Sequence, residues 1–166
     1  MREMLQEDER TVGSSTSPVR TTELILDRKY SEKAIAFVLD AASEIRLCAY
    51  AWRWYPSEPA TSIQKFNIEL MRARNRGIII RCLVNNYSMY KQFSELGFNC
   101  RYVDSNRMLH AKAIVIDRKT LVIGSHNLTK RAIGENYEAS VAIQDFETIE
   151  QFCTYFDTLW EVCHKS

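Results

Sequence analysis

The segment 109–138 constrains the fold more than any other part of the chain. It contains two short apolar runs, Ala111–Ile116 and Leu121–Gly124, separated by the polar turn Asp117–Thr120. Runs of this length, rich in β-branched residues and divided by a turn, are typical of neighbouring strands in a hairpin. The segment therefore predicts a hairpin whose two open ends lie side by side.

Polar side chains flank both open ends of this hairpin. His110 and Lys112 are two residues apart, so in an extended strand they project from the same face about 7 Å apart. The second strand brings Ser125 and Asn127 back toward His110. A lone His-x-Lys pair is usually structural, but buried polar groups are costly unless they are paired or used. The combined cluster therefore indicates a functional pocket.

The rest of the chain alternates between apolar runs of strand length and segments with helical periodicity. Strands are predicted at 23–27, 44–54, 78–84, 99–103 and 138–143, in addition to the hairpin. Helices are predicted at 31–42, with Ser31 as N-cap, and at 62–76, 88–96 and 146–163. Alternation in the first half implies right-handed crossovers. The fold class is α/β, a mixed, mostly parallel β-sheet sandwiched between helices.

The length of 166 residues fits one domain. Residues 1–22 are charged and then rich in Ser and Thr, which predicts a flexible tail. Residues 23–166 form the predicted domain. The sequence leaves open whether the chain is free-standing or part of a longer protein.

Composition limits the classes of site and compartment. The net charge is +1, so any phosphate site must be local and not a feature of the whole surface. Five cysteines with no C-x-x-C spacing argue against a disulfide framework or a zinc site. Since no apolar run approaches the length of a transmembrane helix, we expect a cytoplasmic protein.

The polar cluster matches the pattern His-x-Lys, four residues, Asp, six residues, Gly-Ser-x-Asn. The matching positions are His110, Lys112, Asp117, Gly124, Ser125 and Asn127. This pattern resembles the signature of the phospholipase D superfamily, and the segment Asn136–Glu138 resembles the Asn-x-Glu of its small endonucleases. The resemblance covers about residues 23–163.

The resemblance implies phosphodiester cleavage through a covalent phosphohistidine. His110 would attack phosphorus, and Glu138 would orient its imidazole. Lys112 and Asn127 would stabilise the charge on the phosphate oxygens. Ser125 would help to position the phosphate or the imidazole, and Asp117 would support the order of the site. Because Lys112 fills the electrostatic role of a cation, no metal or other cofactor is expected.

The family uses a second histidine, from a second motif, to protonate the leaving oxygen. This chain has one motif. His126 should face away from His110, and His164 ends the last helix, where the helix dipole explains its presence. The chemistry therefore predicts a homodimer in which a twofold axis brings two His110 side chains into one site.

The motif does not identify the phosphodiester. A nuclease acting on DNA or RNA is the first choice because the chain is short, and local cations would follow the backbone. The candidate substrate-binding residues are Arg107, Arg118, Lys119, Lys130, Arg131, Trp52 and Trp54. Alternatives are a lipid phosphodiesterase at a membrane surface, with Trp52 and Trp54 touching the interface, and a non-catalytic module that binds nucleic acid or docks to a larger assembly.

Overall fold

The computed structural model describes residues 22–103 and 106–163. Its elements are β1 (Thr22–Leu26), α1 (Lys29–Asp40), β2 (Glu44–Ala49), α2 (Ser62–Asn75), β3 (Ile79–Val84), α3 (Tyr87–Glu95), β4 (Asn99–Tyr102), β5 (Ala113–Ile116), β6 (Thr120–Gly124), α4 (Lys130–Gly134), β7 (Ala139–Ile143) and α5 (Phe146–Val162). The predicted tail lies outside the described residues except for Thr22, which belongs to β1, and His164 also lies outside them.

The seven strands form one mixed sheet in the order β1-β7-β6-β5-β2-β3-β4. Strands β5 and β7 run opposite to the other five. The prediction of a mixed sheet with helices on its faces is confirmed.

The prediction of a mostly parallel sheet is correct for strand direction but wrong for strand pairing. Only β2–β3 and β3–β4 pair in parallel, and the four other neighbouring pairs are antiparallel. The reason is that β5 and β7 are inserted between strands that run the other way. The crossover through α1 connects β1 at the sheet edge to β2 near its centre, so these two strands never pair.

Two apolar cores cover the faces of the sheet. The larger core joins α1, α2 and α3 to one face through residues such as Val38, Phe66 and Phe93. The smaller core packs α5 on the other face through Ile149 and Phe156. The layers are therefore helix, sheet, helix. Within the described residues, every helix is too short or too polar to cross a lipid bilayer.

The local predictions differ from the structure in three places. Helix α1 begins at Lys29, so Ser31 lies inside its first turn and is not the N-cap. Strand β2 ends at Ala49, and the following aromatic residues form a loop. The short helix α4 was not predicted, because five residues carry too little periodicity. Thr129 is its N-cap, and its hydroxyl accepts a hydrogen bond from the Ala132 amide at 3.3 Å.

Candidate active site

An open pocket of about 590 Å³ lies at the edge of the sheet where β5 and β7 begin and β6 ends. Its lining residues are His110, Ala111, Lys112, Ile123, Gly124, Ser125, Asn127 and Glu138. Strands β2 and β3 reach the same edge with their carboxyl ends, which is the side of an α/β sheet where ligands commonly bind. Five of the six residues predicted to be catalytic therefore lie together.

His110 and Lys112 form one of the polar pairs that line this pocket. The Lys112 ammonium lies 3.2 Å from Nδ1 and 3.1 Å from Nε2 of His110, and it donates to the His110 carbonyl at 2.9 Å. Because it is almost equally far from both ring nitrogens, it acts as a charge beside the ring and not as a linear donor to one nitrogen. Partial burial lowers the pKa of Lys112, while the charge of Glu138 opposes that shift.

Tyr50 completes this pair and was missed as a site residue. Its ring centroid is 4.6 Å from that of His110, and the Lys112 ammonium lies 4.8 Å from the centre of the Tyr50 ring. The contact is a cation–π interaction that helps to hold the ammonium in place. Tyr50 immediately follows β2, which pairs with β5, and that pairing was the signal that would have placed it beside His110.

Ser125 and Glu138 form the opposite wall. The Ser125 hydroxyl donates to Glu138 Oε2 and accepts from the Ala139 amide at 3.0 Å. Glu138 Oε1 accepts from Asn136 Nδ2 at 3.0 Å. Within the described part of the chain, the Glu138 carboxylate makes no hydrogen bond to His110. The predicted orienting contact is therefore not formed inside a single chain.

Asn127 and Gly124 complete the floor. The Oδ1 atom of Asn127 is buried and has no hydrogen-bond partner among the described residues. A Cβ at Gly124 would overlap with the Ala139 carbonyl and the Ser140 hydroxyl of β7. The glycine of the motif is thus required by the close approach of β6 to β7.

His126 faces away from the pocket, as predicted. Its Nε2 lies 3.0 Å from the carbonyl of Asp27, which can only accept, so Nε2 carries the proton. Nδ1 therefore accepts from the Ser140 hydroxyl at 2.8 Å. The ring stacks on Tyr30 with centroids 4.4 Å apart. Burial lowers the pKa of His126, opposed by its bond to Asp27, which favours the neutral ring.

Asp27 links the two walls behind the pocket. Besides accepting from His126, it accepts the Glu138 amide on Oδ1 at 2.8 Å and donates its own amide to the Glu138 carbonyl at 2.9 Å. Its φ of 47° places it in the left-handed region, which aspartate tolerates better than most residues. The turn between β1 and α1 thereby holds both Glu138 and the segment that carries Ser125.

Asp117 is not at the pocket, which corrects its assignment as a catalytic residue. It follows β5 at the end opposite His110, and its carboxylate accepts hydrogen bonds from three amides and one hydroxyl: Ala42 N (2.7 Å), Ser43 N (2.8 Å), Ser43 Oγ (2.8 Å) and Glu44 N (2.9 Å). Partial burial raises the pKa of Asp117, but these hydrogen bonds outweigh it and lower the pKa overall. Its role is to fix the start of β2.

Two of the cationic residues predicted to bind substrate also lie away from the pocket, so this part of the prediction is wrong. Arg118 and Lys119 lie in the turn between β5 and β6, beyond the far end of both strands from the pocket. Arg118 forms an ion pair with Glu150 of α5. The prediction was wrong because His110 precedes β5 and Arg118 follows it. Residues close in the chain therefore lie at opposite ends of the strand.

The other predicted cations remain on the pocket side. Lys130 and Arg131 open α4, three and four residues after Asn127, and Lys130 is paired with Glu58. Arg131 is exposed with Glu135 at 3.9 Å. Arg107 is exposed and lies three residues before His110 in the chain. Burial raises the pKa of Tyr155 in α5, and the positive charge of Arg107 opposes this shift.

The two tryptophans predicted to touch substrate belong to the core. Trp52 is 0% exposed, stacks on Phe93 and donates from its indole nitrogen to Asn67 at 2.8 Å. Trp54 is half-buried and packs against the larger core. Neither base stacking nor membrane contact by Trp52 is compatible with this burial. Within the described residues, no three His, Cys, Asp or Glu side chains come together as a metal site.

Comparisons with known proteins agree with the fold and with the motif. A family model described as "Cardiolipin synthase, PLD-like domain" matches residues 35–160. The mitochondrial cardiolipin hydrolase of Mus musculus is 25% identical over 130 residues, which cover 75% of this chain and 55% of that protein. The chain spans about half the length of the curated relatives it matches.

Two solved structures share the architecture. Nuc of Salmonella typhimurium, a phospholipase D family member, superposes with a TM-score of 0.73 at 22% identity, covering 87% of this chain and 97% of that one. NucT of Helicobacter pylori gives 0.70 at 19% identity, with 87% and 98% covered. These superpositions show a common fold. With the family model extending over most of the chain, the protein belongs to the phospholipase D superfamily.

Proposed function

We propose that this chain is a phosphodiesterase that cleaves DNA or RNA internally through a covalent phosphohistidine on His110. The observation that carries the proposal is the Lys112 ammonium 3.1 Å from the His110 ring, in an open pocket that Asn127 and Ser125 also line. A nucleophile and a fixed positive charge thus stand where a phosphate can enter.

The reaction has two balanced steps. A ring nitrogen of neutral His110 donates its lone pair to phosphorus, the bond to the leaving oxygen breaks, and that oxygen takes a proton from an acid. Water then attacks phosphorus, its proton passes to the group that served as the acid in the first step, and the bond between phosphorus and the ring nitrogen breaks to release neutral His110. In both steps Lys112 and Asn127 donate to the non-bridging oxygens, where negative charge accumulates.

The proposed reaction requires a dimer because the leaving oxygen needs a proton donor that a second copy of the chain would supply. His126 cannot serve because it is buried and both ring nitrogens are engaged. A second copy of the chain would bring another His110 imidazole to the phosphate. It would also give the Glu138 carboxylate, which is held by Ser125 and Asn136, an imidazole to orient. Sedimentation equilibrium should show a dimer, and a fully active monomer would contradict this assignment.

No divalent metal takes part in the proposed steps, because the Lys112 ammonium neutralises the phosphate. Activity should persist in EDTA. A loss in EDTA that magnesium restores would refute the role given to Lys112.

Nucleic acid is favoured as substrate because the pocket is open and lined by polar side chains, and because Lys130 and Arg131 follow its lining residue Asn127 closely in the chain. Cleavage should fall steeply with added salt, as it does for proteins that bind a phosphate backbone. The direct experiment incubates the protein in EDTA with labelled single-stranded and double-stranded DNA, RNA and cardiolipin vesicles, beside His110→Ala. Cleavage of a nucleic acid that His110→Ala abolishes is the expected result.

A lipid phosphodiesterase is the second candidate. It is supported by the curated relatives, which are named mitochondrial cardiolipin hydrolase. Cardiolipin hydrolysis with intact nucleic acids would favour it. Binding of nucleic acid with no product from either substrate would instead favour a non-catalytic module.

A further inference from the structure

A second cavity, of about 230 Å³, lies beside the candidate active site, between the end of β2 and the start of α3. Its lining residues are Tyr50, Ala51, Arg53, Asn85, Asn86, Ser88 and Met89. Tyr50 stands between the two spaces, because its ring also contacts His110. No residue that was given a role in the reaction described above lines the second cavity.

The two asparagines present hydrogen-bond donors to the cavity. Asn85 Oδ1 accepts the Leu109 amide at 2.9 Å, and Asn86 Oδ1 accepts the Met89 amide at 3.0 Å. Since a backbone N–H can only donate, these bonds fix which end of each side-chain amide is oxygen. Both NH₂ groups remain without a protein acceptor among the described residues, so each is free to bind an acceptor on a ligand.

Arg53 adds a positive charge to these donors. Its backbone is anchored on both sides: its amide donates to the Leu128 carbonyl at 3.0 Å, and its carbonyl accepts from Asn67 Nδ2 at 2.9 Å. The guanidinium is exposed and, in the part of the chain that the structure describes, has no acidic partner. Arginine presents planar, paired donors that match phosphate oxygens.

The lining as a whole selects an anion. The uncommitted groups are a guanidinium, two NH₂ groups and the hydroxyls of Ser88 and Tyr50, and no carboxylate is among the lining residues. A neutral polar ligand would need acceptors as well as donors from the wall, and a cation would need carboxylates. A phosphate oxyanion accepts from every one of these groups.

The cavity is mechanically tied to the nucleophile. The Asn85 side chain holds the amide of Leu109, which precedes His110 in the chain. An anion bound to the amide nitrogen of Asn85 is therefore connected to the catalytic loop through one side chain. A substrate that places a phosphate in each space must carry at least two phosphates.

We propose that this cavity binds the phosphate next to the scissile one on a polynucleotide strand. The assignment rests on the proposed nuclease function and deepens it, because it identifies the substrate as a chain of phosphodiesters and not as an isolated one. Arg53 supplies the charge, and Asn85, Asn86 and Ser88 supply neutral donors.

The test compares Arg53→Gln with Arg72→Gln, which removes the same charge from an exposed arginine in the last turn of α2. The substrate is a labelled trinucleotide with two phosphodiesters, and its analogues carry a neutral methylphosphonate in place of one or the other. On the trinucleotide, kcat/KM of Arg53→Gln should be about tenfold below that of Arg72→Gln, the loss expected for one charge-assisted hydrogen bond, and the loss should lie in KM. On the analogues the difference should shrink to less than about twofold.

Each other outcome overturns a stated part of the proposal. Equal kcat/KM of the two variants on the trinucleotide refutes the second phosphate site while leaving the nuclease intact. A tenfold loss that persists on the analogues also refutes it, because Arg53 would then act without the neighbouring charge. If the unaltered protein cleaves no oligonucleotide at all, the nuclease function itself fails. Cardiolipin also carries a pair of phosphodiesters, so a defect of Arg53→Gln on cardiolipin vesicles alone refutes the assignment to a polynucleotide.

Discussion

At one end of β5, His110 and Lys112 face an open pocket, and at the other end Asp117 is bonded to the backbone that begins β2. The side chains at the first end have few bonds to the rest of the protein. His110 is exposed, and its ring contacts Lys112 and Tyr50. The carboxylate at the second end has all of its hydrogen bonds within the fold. One sequence motif thus contains a region whose side chains face an open pocket and a region whose carboxylate is bonded to the backbone of the fold.

The difference shows that β5 separates the residues that line the pocket from the residue that fixes the turn. Asp117 and Arg118 adopt φ values of 51° and 53°, so the turn bends sharply enough to return β6 alongside β5. Asp117 then joins this turn to the start of β2. The pocket end can remain open because the hairpin is held from its far end.

The largest effect on activity is expected from His110→Ala. Removal of the proposed nucleophile should lower kcat by at least about 10³-fold, since residues acting as one catalytic unit show losses of this size or more. The free energy of unfolding should change by less than about 0.5 kcal/mol, because the side chain is exposed. Turnover assays and urea denaturation test both statements, and a folded variant with normal turnover would remove His110 from the mechanism.

Lys112→Met should have the next largest effect. It keeps the length of the side chain and removes the charge beside the His110 ring, so kcat should fall by about 10²–10³-fold, as for the loss of one oxyanion donor. Burial lowers the pKa of Lys112. An alkaline fall in activity that is caused by deprotonation of this ammonium should be absent from the pH profile of Lys112→Met. A fall in substrate affinity with unchanged kcat would show that Lys112 acts on the ground state only.

Much of this comparison follows from local sequence. The hairpin, the four longer helices and the return of Ser125 and Asn127 toward His110 were predicted, because each depends on periodicity or on a turn within the segment itself. Glu138 was assigned to the site through the family resemblance. The family resemblance rests on the same residues and is confirmed by the family model.

The errors concern contacts made by residues distant in the chain. The role of Asp117 depends on its contact with the residues that begin β2, and the burial of Trp52 depends on Phe93 in α3. Tyr50 was missed because its contact with His110 arises only when β2 and β5 pair. Polar and aromatic residues were assigned by chemical type, while their position is set by the order of strands in the sheet.

Asp117→Ala should affect stability where His110→Ala affects activity. It leaves the amides of Ala42, Ser43 and Glu44 without their common acceptor, and we expect a loss of about 1–2 kcal/mol, limited by the partial exposure of the site. Urea denaturation measures the loss. Turnover of the folded fraction should stay within a few-fold of normal, and a 10²-fold fall in a fully folded sample would contradict the separation of the two ends.

The pH dependence of the free energy of unfolding provides a second test of the stabilisation by Asp117. Its pKa is lower in the folded protein, so the unfolded state binds more protons as the pH falls. The stabilisation should be complete above the pKa of an unfolded aspartate, about 4, and be lost as the pH falls toward the folded value. Asp117→Ala should flatten the curve in this acid range only.

The smallest effect is expected at His126, which belongs to neither end of β5 but lies behind the pocket. Burial lowers its pKa, so below the unfolded value of about 6.5 the unfolded chain takes up a proton that the folded chain does not, and stability should fall as the pH decreases. His126→Gln can still donate to the Asp27 carbonyl and accept from Ser140, yet it does not titrate. Its unfolding free energy should therefore change less between pH 7 and about pH 5 than that of the unaltered protein. Identical slopes would mean that another group governs this range, and that His126 is accessible to protons despite its burial.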